Sequence, residues 1–212
     1  MDESVNWHRK KLIEKAAGAL GKNNYSVFTE NYGGAAVSRV LELVKPGENV
    51  AFGGSMTIEA LGIREALEKR GAKIIASSQG APKEEKIKIR RQSLAADIFI
   101  ASPNAVTLDG KLIFMDKIGN RAAGMMFGPS KVIAVAGFNK IVADEKAARK
   151  RIENAAGPMN AKRLSASTPC AETGVCADCN SPERICNILV TLLKKPAFTD
   201  YHVILVPEEF GY

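Results

Sequence analysis

The sequence predicts an open, mostly parallel α/β sheet with helices on both faces and a hairpin element. Three observations carry that prediction. Between Asn49 and Ala156, short apolar runs alternate with stretches of helical length, the pattern that builds a parallel sheet from βαβ units. Runs such as Asp97-Ile98-Phe99-Ile100-Ala101 are apolar almost throughout, which marks a strand covered on both faces. Asp109-Gly110 separates two further apolar runs and is a strong hairpin signal, which adds an antiparallel element.

Taken in order, the chain opens on an amphipathic stretch from about Ser4 to Leu20. Trp7, Leu12, Ile13, Ala16, Ala17 and Leu20 form its apolar stripe, and Gly21 followed by Asn23-Asn24 ends it. Tyr25 to Phe28 reads as a short strand or an extended link. A helix from Gly34 to Val44 stops before Pro46-Gly47 and completes an N-terminal helical segment, residues 1–45.

The β–α pattern then begins. Asn49–Phe52 is a strand running into Gly53-Gly54-Ser55-Met56-Thr57, and Ile58–Lys69 is a helix ended by Gly71. Lys73–Ser77 is a strand, Lys83–Leu94 a helix and Asp97–Ala101 a strand. Val106–Leu108 and Lys111–Met115 are the hairpin arms. Gly119–Phe127 is a helix, Lys131–Ala136 a strand, and Asp144–Ala156 a helix capped by Asp144 and ended by Gly157-Pro158. Ile188–Leu193 and His202–Val206 are two final strands. No repeat, low-complexity tract or linker divides the chain, so residues 1–212 read as a single domain with a cysteine-rich loop at 168–187.

Composition narrows the function classes. Of 212 residues, 46% are apolar and 25% charged, an ordinary globular balance. The N-terminus lacks an apolar signal region, and no apolar run approaches the ~18 residues of a membrane span. A cytoplasmic location is expected, where thiols stay reduced. Net charge is +7, yet the cations are spread along the chain without interleaved aromatics, which excludes the usual nucleic-acid patterns. The densest basic stretch, Lys83 to Arg91, includes Glu84 and Glu85 and reads as a solvated helix face. A small anion would gain more from this balance than nucleic acid would.

Ligands of open α/β sheets bind beyond the carboxyl ends of the strands. Gly53, Gly54, Ser55 and Thr57 occupy such a place, where glycines permit close approach and a helix N-terminus favours an anion. The competing reading is a tight turn with Ser55 or Thr57 as N-cap. A second candidate combines Asn104 and Asp109 with Asn120 and Arg121, which open a helix and suit a carboxylate or phosphate. Asp109 is more often a turn residue than a catalyst, and Asn120 and Arg121 equally suit a helix cap and a surface pair. Lys140, just past a strand end, supplies a further cation. No Ser/His/Asp or Cys/His arrangement is present, so no catalytic residue is identified.

All four cysteines, Cys170, Cys176, Cys179 and Cys186, fall within 17 residues as C-x5-C-x2-C-x6-C. Gly174, Asn180, Ser181 and Pro182 supply turns around them, and four thiolates suit an iron–sulfur cluster or, alternatively, a zinc ion. Two disulfides, a redox-active CxxC pair and plain packing are the other readings.

Taken together, Gly53-Gly54-Ser55, Ser102 to Gly110, Gly119-Asn120-Arg121, Gly137 to Val142 and the cysteine stretch resemble the LUD-domain family, with the likeness spanning about Gly34 to Cys186. The resemblance implies a fold similar to the sugar-phosphate isomerase and CoA-transferase group. It also implies a link to the oxidation of L-lactate to pyruvate alongside iron–sulfur partner subunits. The chain lacks tandem ferredoxin-type cysteine motifs and is therefore closer to the small-subunit or stand-alone type. The partners expected are a small anionic or carboxylate ligand, iron–sulfur subunits and further copies of the chain, with neither nucleic acid nor membrane. The alternative functions are an isomerase- or transferase-type enzyme for a phosphorylated or CoA-linked anion, and a binding module without catalysis.

Overall fold

The computed structural model describes residues 2–78 and 80–212. Its strands, in chain order, are β1 (Ser26–Thr29), β2 (Asn49–Phe52), β3 (Lys73–Ile75), β4 (Ile98–Ala101), β5 (Ala105–Thr107), β6 (Leu112–Asp116), β7 (Lys131–Gly137), β8 (Ile141–Val142), β9 (Ile188–Leu192) and β10 (Asp200–Val206). The helices are α1 (Glu3–Lys22), α2 (Gly33–Leu43), α3 (Met56–Ala60), α4 (Ile63–Lys69), α5 (Lys83–Gln92), α6 (Asn120–Met126), α7 (Glu145–Arg151), α8 (Gly157–Arg163) and α9 (Pro169–Thr173).

The central sheet has six strands in the order β1-β10-β7-β4-β2-β3, and every neighbouring pair is parallel. Because successive side chains of a strand point to opposite faces, each apolar strand feeds two cores. On one face, Val50, Ile98, Ile100, Ile133, Val135 and Ile204 meet Ala36 and Val40 of α2, Ile58 of α3, and Ile63 and Leu67 of α4. On the other, Phe99, Ala101, Val132, Ala134, Val203 and Leu205 meet Ile13, Ala16 and Leu20 of α1 and Ala122 and Met125 of α6. Each large aliphatic side chain so buried contributes about 1.5–3 kcal/mol. The α1 helix is thus a cover for the main sheet. Its start is capped by Asp2, whose carboxylate accepts the Ser4 N–H at 2.8 Å.

The Asp109-Gly110 hairpin forms as expected, but β5 and β6 do not extend the main sheet. They belong to a second sheet, β8-β5-β6-β9, in which β5–β6 and β6–β9 are antiparallel and β5–β8 is parallel. Both edges of β4 are already taken by β2 and β7, so the chain leaving β4 has no free edge beside it. The hairpin instead lies over the sheet. Leu112 and Phe114 point into the α1 core, and Ala105 and Ile113 pack against Ala148 and Ile152 on the opposite side. The two C-terminal strands likewise separate, β9 to the small sheet and β10 to the large one.

Two helices differ from the sequence expectation. The stretch expected as one helix over Ile58–Lys69 breaks at Leu61-Gly62, where Gly62 is left-handed with φ 62°. In an unbroken helix Ile58 and Ile63 would stand about 140° apart; the break lets both bury on one face. Gly157-Pro158, expected to end the helix begun at Asp144, does not end it. A π turn over Ile152–Ala156 routes the Gly157 N–H to the Ile152 carbonyl, and α8 continues from there. The wider turn removes the clash between a proline ring and the carbonyl four residues back, which would otherwise stop the helix.

Candidate functional site

The main sheet diverges at β2 and β4. From β2 the chain goes outward to β3; from β4 it proceeds the other way, through β7 toward β10. Such a divergence leaves a crevice beyond the carboxyl ends of the two strands. A cleft of about 740 Å³ opens there. Gly54, Ser55 and Met56 line it from the β2 end, Asn104 from the β4 end, Lys140 from the β7 end and Asn120 with Arg121 from α6. The basic face of α5 (Lys83, Lys86 and Arg90) forms one wall, and Asn160 and Arg163 of α8 stand with Tyr212 at the rim.

Arg121 holds the strand ends together. Its Nε donates to Asp116 Oδ1 at 3.0 Å, Nη1 to the Ser102 carbonyl at 3.3 Å, and Nη2 to the Met115 carbonyl at 2.9 Å and to Asn104 Oδ1. Asn104 Oδ1 also accepts the Met115 N–H at 2.8 Å. Asp116 completes the knot by accepting the Ala122 N–H at 2.7 Å, so it caps α6 from the preceding strand where Gly119 cannot. The guanidinium spends nearly all its donors on the protein, which leaves a positioned Asn104 and a positive charge as what it can offer the cleft.

Gly53 lies behind this knot. A Cβ there would come 2.6 Å from Arg121 Cγ and 3.0 Å from Ala101 Cβ. Because Ala101 is fixed in β4, Arg121 would have to move. Gly53→Ala is expected to cost about 2 kcal/mol in a urea unfolding experiment, as overpacking does; a shift below about 0.5 kcal/mol would show that the contact relaxes freely.

Lys140 is almost fully buried. Its Nζ donates to Ser102 Oγ at 2.8 Å, and Ser102 donates onward to the Pro103 carbonyl at 3.3 Å. Burial first, then the positive charges of Arg151 and Arg121, hold the Lys140 amine well below the usual lysine range. Arg151 is fixed close by, donating to the Asn139 carbonyl at 2.6 Å and the Asn104 carbonyl at 2.7 Å.

The other candidates divide. Ser55 caps α3, its Oγ accepting the Ile58 N–H at 3.4 Å, and still lines the cleft. Thr57 points inward, donating to the Phe210 carbonyl at 2.9 Å. Asp109 sits away from the cleft in the β5–β6 turn, bonded to the Thr107 hydroxyl and paired with Lys111 at 3.0 Å. The Thr107 bond first, and Lys111 with it, lower its carboxyl below the usual range. Ser102, Arg151 and the α5 wall stand beside or along the cleft and are not selected by the sequence alone. Lys83, Lys86 and Arg90 recur at helical spacing on one face, which the sequence alone reads as a solvated face.

All four cysteines are free thiols, partly buried. Cys170 lies in α9 with its Sγ 3.4 Å from Thr168 Oγ1. Asp178 takes φ 43° and turns the chain between Cys176 and Cys179. Arg184 clamps the loop: Nε donates to the Cys186 carbonyl at 3.2 Å, Nη1 to the Cys179 carbonyl at 2.5 Å and Nη2 to Asp178 Oδ1 at 2.8 Å. Burial chiefly, with the neighbouring Cys176 and Cys179, raises the Cys186 thiol despite Arg184. Thiolates are the right donors for zinc or an iron–sulfur cluster. Among the described residues, however, no three His, Cys, Asp or Glu side chains are gathered closely enough to hold a metal ion.

No helix among the described residues is long and apolar enough to cross a membrane. No curated protein matches the chain. A solved structure, that of a DUF162 family protein from Deinococcus radiodurans, has a similar fold, with a TM-score of 0.53 at 9% identity over 93% of this chain and 97% of that one. The LUD domain family model matches residues 13–206, and the chain belongs to the LUD domain family.

Proposed function

We propose that the chain is a component of L-lactate oxidation to pyruvate and holds the acid by its carboxylate in the cleft between the ends of β2 and β4. The observation that carries this reading is the charge of the cleft. Arg64, Lys83, Lys86, Arg90, Lys117 and Arg163 line it beside Arg121, against Asp116 and Glu183, and Asp116 is already paired with Arg121. A recess lined by one sign of charge concentrates the opposite ion. Within it the chain's own residues bind and orient: Asn104 and Ser55 offer hydrogen bonds, and the α5 cations draw the carboxylate.

Oxidation of lactate releases two electrons and two protons, which require an acceptor. In this reading an iron–sulfur partner subunit takes the electrons. Cys170, Cys176, Cys179 and Cys186 are the residues of this chain that would hold a cluster, or zinc as the alternative; a cluster would supply one-electron transfer. Elemental and sulfide analysis of protein purified without oxygen tests that part alone.

Binding is tested by titration calorimetry. L-lactate and pyruvate are expected to bind saturably and more weakly at high salt, and K86E/R90E to weaken both by about tenfold, roughly 1.4 kcal/mol. Heat that does not saturate, or that is indifferent to the charge reversal, would remove the carboxylate reading. The volume of about 740 Å³ favours a second reading, since pockets of roughly 300–1,000 Å³ enclose ligands much larger than a three-carbon acid. A phosphorylated or CoA-linked anion would fill it. Thermal stabilisation by such anions but not by lactate would decide for that alternative.

A further inference from the structure

A buried amine at the edge of an anion-attracting cleft, with no carboxylate beside it, is chemically unusual. Lys140 is 2% exposed yet contributes to the cleft lining. The charged groups acting on it are Arg151 of α7 and Arg121 of α6, both positive, and Asp116 of β6 is bound to Arg121. A lysine desolvated among cations is neutral where an ordinary lysine is protonated, and a neutral amine is a nucleophile. Its hydrogen bond to Ser102 has a definite sense. Ser102 gives its own proton to the Pro103 carbonyl and accepts one N–H from Lys140, so the bond fixes the amine without consuming its lone pair. Ser102 is 1% exposed and does not line the cleft, so nitrogen rather than oxygen is presented to a ligand.

We propose that Lys140 is a nucleophilic amine that condenses with the carbonyl carbon of an oxo acid held in the cleft. The choice of an oxo acid rests on the carboxylate reading above; the reactivity of the amine does not. The Nζ lone pair forms the C–N bond while the carbonyl π pair moves to oxygen, and one amine proton passes to that oxygen. The hydroxyl of the resulting carbinolamine then leaves with the second amine proton as water. The product is a neutral imine carrying the substrate's carboxylate, so no additional positive charge is buried beside Arg121 and Arg151. Ser102 is a positioning residue.

The test is reductive trapping on the intact protein. The chain is incubated with pyruvate and cyanoborohydride, and modified lysines are located by peptide mass mapping. The expected result is a carboxyethyl group on Lys140 at least ~10-fold more abundant than on Lys86, since each unit of lowered pKa multiplies the neutral fraction about tenfold. Trapping at Lys140 should also reach half its maximal rate at a lower pH than trapping at Lys86, because the neutral form appears earlier as pH rises. Equal labelling of both lysines, or none at Lys140 while pyruvate binds, overturns the proposal. The wild-type map is decisive even if Lys140→Met fails to fold; Ser102→Ala should slow labelling of Lys140 without changing that of Lys86.

Pyruvate binding, followed in parallel by saturation-transfer NMR, separates the two readings. Bound pyruvate with Lys140 unlabelled overturns the imine and leaves the carboxylate site standing. Unbound pyruvate, with Lys140 selectively labelled by neutral acetaldehyde, upholds the nucleophile and overturns the carboxylate site.

Discussion

Arg121→Ala is expected to destabilise the protein by about 3–5 kcal/mol, the cost of breaking a buried ion pair from one side. The Arg121 and Asp116 side chains are 13% and 7% exposed, so the abandoned carboxylate cannot be rescued by full hydration. The loss spreads beyond the pair. The Ser102 and Met115 carbonyls and Asn104 Oδ1 each lose a donor, and these groups tie the β4 end to β6. Asp116 also caps α6 through Ala122, so its repulsion from an apolar hole is transmitted to that helix. Arg121→Lys is expected to recover only a small part. One ammonium cannot span acceptors that a planar guanidinium reaches with separate nitrogens. Urea denaturation of wild type, Arg121→Ala and Arg121→Lys measures this directly. A loss below about 1 kcal/mol for the alanine variant would mean that the network is a surface pair in energetic terms.

Gly110→Ala is expected to cost about 3 kcal/mol, from two sources of different kind. The residue has φ 83°, which an L side chain occupies at a penalty of roughly 1–2 kcal/mol. The added Cβ would also stand 2.6 Å from the Ala19 carbonyl carbon and 2.7 Å from Leu20 N. Those are backbone atoms of α1 and cannot rotate away. The helix is held down at this point: Asn23 Nδ2 donates to the Asp109 and Gly110 carbonyls at 3.1 and 2.9 Å, and Ala16 and Leu20 are buried in the core. Lifting α1 to make room would expose that apolar face. Gly47→Ala is the control. Gly47 has φ 86° with nothing within 4 Å of its Cβ, so it should show the backbone penalty alone. Thermal unfolding of the two variants separates strain from collision; equal losses would show that α1 yields without cost.

The sequence carried the strands well, because strands covered on both faces are almost wholly apolar and stop at glycine or charge. Ile98–Ala101 and Lys131–Gly137 lie within a residue of the expected spans. The Asp109-Gly110 turn was equally legible, since left-handed Gly110 is what that dipeptide encodes. The helix end at Gly157-Pro158 was misread because proline forbids only the ordinary α ladder, and a π turn avoids the clash at no visible cost in sequence. The assignment of strands to two sheets was also hidden. It depends on which edges of β4 are already occupied, and that is a property of chain crossings rather than of any segment.

The site shows the same division. Local pattern was enough to put Gly54, Ser55, Asn104, Asn120, Arg121 and Lys140 at strand and helix ends, and the structure gathers them around one cleft. Asp109, close to Asn104 in sequence, is carried away by β5 to the opposite end of the hairpin. By itself the sequence determined the alternation of elements, the turn chemistry and the supply of cations, because these follow from apolar periodicity and residue type within a few neighbours. Only the tertiary structure decided that the α5 cations face a cleft and that Arg121 binds its own protein. It alone made Lys140 a buried amine between two arginines, because desolvation and Coulomb energy depend on distances that the chain sets only when it is folded.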